Sequence, residues 1–138
     1  MKLRVDGVPI HALLVHFPVA GWTAASALAV AVVAGYPALA TAAWVTNAVA
    51  LSFGVLAVGA GAAELAWLPD EPAVRDHAVA HLSFAAGAWS LYGVMLLLQA
   101  SGHLVAAAAV GAVAFLVLVA AGHAGARLVF HHGIPRHG

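Results

Sequence analysis

Charge is almost absent from this chain, and that feature most limits what it can fold into. Aspartate, glutamate, lysine and arginine together make up 7% of its 138 residues, against 64% hydrophobic residues. A water-soluble domain carries roughly 25% charged residues. Too few are present here to cover a surface facing water, so most of the surface must face lipid. Four apolar stretches, residues 11–34, 38–67, 77–100 and 104–128, are each long enough to cross a hydrocarbon core about 30 Å thick. Turn residues separate them: Gly35-Tyr36-Pro37, Leu68-Pro69-Asp70-Glu71-Pro72 and Ser101-Gly102-His103. Asp76 is the expected N-cap of the third helix.

This pattern predicts an all-α integral membrane protein, a single domain folded as an up-down four-helix bundle. The first stretch is too long for a signal peptide, and Asp6 interrupts its basic flank, so it is read as a retained helix. A formal net charge of zero argues against nucleic acid as a partner. The absence of cysteine removes disulfides, covalently attached haem and cysteine-ligated iron–sulfur clusters. The expected partners are the lipid bilayer and a quinone or redox protein. A second copy of the chain is a further candidate, given so much lipid-facing surface.

Four crossings put the N-terminus, the second loop and the C-terminus on one side. Lys2, Arg4, Asp6, Asp70, Glu71, Arg75, Asp76 and Arg136 fall there, with Glu64 and Arg127 near the helix ends that return to it. The opposite loops carry no charge. The positive-inside rule then places both termini in the cytoplasm of a bacterial inner membrane.

Nine histidines against five lysines and arginines is the main clue to function. His131, His132 and His137 read most simply as a solvated tail, and only His103 maps to the uncharged side. His11 and His77 fit the membrane interface. His16, Glu64, His81 and His123 are harder to dismiss, because each spanning helix offers one of them roughly 5–10 Å inside the charged face. An ionisable group there costs about 2.5–3.5 kcal/mol even on insertion scales, so it ordinarily turns inward to a partner.

The first chemistry this suggests is haem b. His16 and His81 lie on diagonal helices and are the expected axial ligands, with His123 in reserve. Arg4, Arg75 or Arg127 would meet the propionates, and Phe17, Trp67 and Phe84 would line the ring. The second is a non-haem iron, zinc or copper ion held by His16, Glu64, His81 and His123, with His11 and His77 as further ligands. Proton or ion handling is a third, and a purely structural polar cluster a fourth. An enzyme with its own substrate is not expected, because the extramembrane loops are too short to shape a pocket.

The opening Gly7-Val8-Pro9-Ile10-His11, followed by Leu14-Val15-His16-Phe17-Pro18, resembles the start of a bacterial family of four-helix membrane proteins, domain of unknown function 2231. Gly61 to Trp67, His77 to His81 and Gly125 to Gly133 are similar to it too, so the resemblance covers nearly the whole chain. Ala12 and Glu64 depart from it, standing where proline and aspartate are common. The resemblance implies the four-helix architecture and emphasises His11, His16, Glu64, His81 and His131. Relatives joined to Rieske-type or cytochrome-like domains make electron transfer the role it suggests.

Overall fold

A computed structural model describes residues 4–6, 8–65 and 70–131. Lys2, Trp67, His132, Arg136, His137 and the expected end of the second span at residue 67 lie outside the described residues. The chain opens with a minimal hairpin, β1 (Arg4–Val5) against β2 (Val8–Pro9), with Val5 opposite Val8. Asp6 takes a positive φ of 50°, the left-handed conformation that an Asp-Gly connection supplies in two-residue hairpins.

The first span is α1 (Ile10–Leu14) followed by α2 (His16–Val33). The ladder breaks at Val15 because Pro18, four residues after Leu14, has no N–H to give the Leu14 carbonyl. A single 3-10 turn, Pro37–Leu39, leads into α3 (Ala40–Leu65). Then follow α4 (Pro72–Ala100) and α5 (Leu104–Phe130). All four spans are long and apolar enough to cross a membrane.

One boundary differs from expectation. The third span begins at Pro72, not His77, and Asp76 is not its cap. Proline at the first helical position is pre-set in φ and loses no intrahelical bond, so the helix starts there with Glu71 in the N-cap position. The earlier start puts His77 and His81 in the second and third turns.

The helices pack in a ring, with α4 against α5, α3 against both α2 and α4, and α5 back against α2. The first and third spans are the diagonal pair. Helices with apolar surfaces on every side cannot be sorted by hydrophobicity, so small residues mark the interior. Ala25, Ala29, Ala43, Ala50, Ala88 and Ala114 are buried, while Leu97, Val105 and Leu116 are each about 70% exposed, to lipid. Two polar links cross the middle. Ser26 shares a 2.9 Å hydrogen bond with the Tyr92 hydroxyl and donates to the Gly111 carbonyl at 3.2 Å. Asn47 donates to the Tyr92 carbonyl and to Gln99 Oε1.

Candidate functional site

The buried stripe of α2 runs through Pro18, Trp22, Ala25, Ala29 and Val32. Stepping seven residues back from Pro18 reaches His11, which faces the same way. His16 is five residues beyond His11, about 140° around the helix at 100° per residue, and is exposed. On α4 the stripe of Val74, Ala78, Ala88 and Tyr92 passes through His81, which is half-buried. On α5 the stripe includes Ala121 and Ala124, and His123 points away from it and is exposed, as is Arg127. The four ligand-capable residues expected at one level therefore do not converge. Among the described residues no group of three or more His, Cys, Asp or Glu side chains is placed to hold a metal ion.

The histidines that do meet are His11 and His81. Their ring centroids are 6.3 Å apart and their planes nearly perpendicular, at 82°. Each ring is tied down in the same way by the helix that follows it. His11 Nδ1 lies 2.8 Å from the Ala57 carbonyl, and His81 Nδ1 lies 2.9 Å from the Ala121 carbonyl. A carbonyl only accepts, so Nδ1 is the donor in both rings, and in the neutral imidazole that tautomer leaves the Nε2 lone pair free. Glycine makes room for each ring. A Cβ on Gly61 would fall 2.9 Å from His11 Nδ1, and one on Gly125 would fall 3.0 Å from His81 Nδ1.

Glu64, one turn beyond Gly61, faces the same junction. Its Oε1 accepts from the His11 backbone N–H at 3.4 Å, which serves one of the free donors at the start of α1. His77 contacts the Ala73 carbonyl of its own helix through Nδ1. Arg75 pairs with Asp70 at 3.2 Å on an exposed surface, where such a pair contributes little. Arg4 lies in β1, in the hairpin that leads into α1.

Both histidines border a cavity of about 260 Å³ that reaches down to Trp22, Trp89 and Phe115. His81 and Trp89 are eight residues apart, so it runs about 12 Å along the membrane normal. Val19 and Thr23 on α2 and Val119 and Gly122 on α5 line it and are exposed, which opens it sideways to the bilayer. The Trp22 ring stacks on Tyr92 at 4.9 Å, and its buried Nε1–H has no acceptor among the described residues. Of the aromatics expected to line a ring, Phe17 stacks instead on Phe53 and is exposed, as is Phe84. The aromatics that line the cavity are Trp22, Trp89 and Phe115.

Four spans long and apolar enough to cross a membrane agree with the family match over residues 7–137, described as "Predicted membrane protein (DUF2231)". The chain belongs to this family. It is a membrane protein, and the match takes in every element from β2 to the end of α5. No curated protein and no solved structure matches this DUF2231 chain.

Proposed function

We propose that the protein holds one haem b between His11 and His81 and carries electrons within the membrane. The observation that carries this reading is the pair of imidazoles, each with Nδ1 engaged by a carbonyl and Nε2 free, 6.3 Å apart on diagonal spans. Two imidazoles that held one metal ion between them, each at a metal–nitrogen distance of about 2.0 Å, would have their ring centres about 5–6 Å apart, and the 6.3 Å spacing lies at the upper end of that range. Ligand number argues for haem. A structural zinc site needs four protein donors, whereas haem brings four nitrogens of its own and asks the protein for two.

The cavity is smaller than a macrocycle. A haem would have to extend toward lipid through the opening beside Val19 and Val119. Small residues at Ala57, Ala85 and Gly122 line the walls. Bound haem supplies a one-electron couple. The protein's own part is to fix both imidazoles through Ala57 and Ala121, exclude water with Trp22, Trp89 and Leu118, and place Glu64 beside the His11 backbone. Arg127, exposed in the last turn of α5, would be the cation that meets the propionates. The charged face is cytoplasmic by the positive-inside rule, in a bacterial inner membrane. The lateral opening gives a quinone or a membrane-bound redox partner access to the haem edge.

Titrating haem into the detergent-purified protein tests this. A Soret band with low-spin features is expected at one haem per chain. It should be lost or strongly altered in His11→Ala and His81→Ala and unchanged in His16→Ala and His123→Ala. A protein that takes up no haem, or that loses the band on replacing His16 and keeps it on replacing His11, refutes the reading.

A further inference from the structure

The two even-numbered spans carry one sequence pattern in one register. Ala48-Val49-Ala50 of α3 recurs as Ala112-Val113-Ala114 of α5, and Ala57 with Ala60-Gly61-Ala62 recurs as Ala121 with Ala124-Gly125-Ala126. At the same offset Ala40 and Leu104 both begin their helices. An alanine-rich composition alone would not align burial, yet Asn47, Gly54 and Ala60 are buried and so are their counterparts Gly111, Leu118 and Ala124.

The odd-numbered spans repeat in structure more than in sequence. Setting His11 on His81 sets Pro18 on Ala88, Trp22 on Tyr92 and Ala25 on Met95, and all six of these partners deeper in the bundle are buried. His11 meets His81, and Trp22 stacks flat on Tyr92 with planes 2° apart. A residue that meets its own counterpart is what a two-fold axis between two halves produces. Both hairpins start from the same face of the membrane, so the axis lies along the membrane normal.

We infer that the chain is a duplicated helix hairpin, with each half giving one histidine seated on a glycine and a carbonyl. The ligand lies on the pseudo-two-fold axis, bound by both Nε2 atoms alike. Resting on the haem reading above, the two seats would offer a haem iron one equivalent imidazole from each half, which would suit electron transfer and leave no position for oxygen or other small molecules. The symmetry is broken by charge: Glu64 accepts from the His11 backbone N–H, while its counterpart in register is the uncharged Leu128.

Two measurements on the full chain in detergent test this. Without haem, nitrogen-15 spectra of labelled histidine should show two rings protonated on Nδ1 and bare on Nε2, one lost in His11→Gln and the other in His81→Gln. Different tautomers in the two rings would overturn the equivalence. With haem, carbon monoxide should leave the reduced protein's Soret band in place, while His11→Ala and His81→Ala should each gain a carbon monoxide adduct, to within about twofold of one another. Glutamine variants, which keep a donor for the carbonyl, replace alanine where folding is lost. Stoichiometric carbon monoxide binding by the unaltered protein, or binding by one variant alone, overturns the inference while sparing the haem reading. A protein that takes up no haem overturns the closed haem site, and the ring tautomers then decide the equivalence of the two seats.

Discussion

Gly61→Ala adds one methyl group to an exceptionally tight place. The new Cβ would stand 2.9 Å from His11 Nδ1 and 3.1 Å from its Cε1. The ring cannot swing aside freely, because Nδ1 is held by the Ala57 carbonyl at 2.8 Å. Moving it breaks that bond, worth about 0.5–1.5 kcal/mol net. The overpacking itself adds about 1–3 kcal/mol. Alanine returns about 1 kcal/mol through its better helix propensity. The cost wins, and a net loss of about 0.5–3.5 kcal/mol is expected. Gly59→Ala is the control on the same helix, since a Cβ there meets nothing within 4 Å, and it should be neutral or slightly stabilising. Loss of helical circular dichroism during SDS titration of detergent-solubilised protein measures the difference. Disturbing a partner that orients a metal ligand commonly costs 10–100-fold in affinity, so haem uptake should fall about that much in Gly61→Ala and not in Gly59→Ala. Equal stability and equal haem uptake in the two variants would refute the seating of His11.

Ser26→Ala removes the hydrogen bonds that tie the first span to the third through Tyr92 and to the fourth through Gly111, and should cost about 0.6–1.7 kcal/mol in the same titration. Loss of more than twice that would show that the network is coupled to further groups. Trp22→Phe deletes a buried N–H that has no acceptor among the described residues, which relieves an unmet donor worth about 1–3 kcal/mol but gives up packing area. The protein without haem should therefore keep or slightly raise its melting temperature, and a drop of more than about 4 °C would show that the N–H is satisfied.

The number of spans, their connection order and the gathering of charge on one face could be read from the sequence, because the energetic cost of charge in lipid leaves few alternatives. Pro72 and Pro18 also carry their own structural meaning: one starts α4 and the other breaks the first span. The Asp6-Gly7 hairpin was equally open to reading from its turn chemistry. Which histidines face inward was harder to see. A soluble helix announces its inner face by apolarity, but here both faces are apolar and the inner one is marked only by smaller side chains. Depth alone pointed to His16 and His123, and rotation set them outside. The spacing of His11, Pro18, Trp22 and Ala25, and the recurrence of Ala57 and Gly61 at Ala121 and Gly125, were the signals in the chain that could have identified the inward-facing pair.

What the sequence determined by itself is the membrane as solvent, four crossings and one charged face, since these follow from transfer energies summed along the chain. Only the tertiary structure decided that His11 and His81 meet, because that depends on helix rotation and on how closely glycines let neighbouring helices approach. Those contacts join residues far apart in the chain, and no local run of residues encodes them.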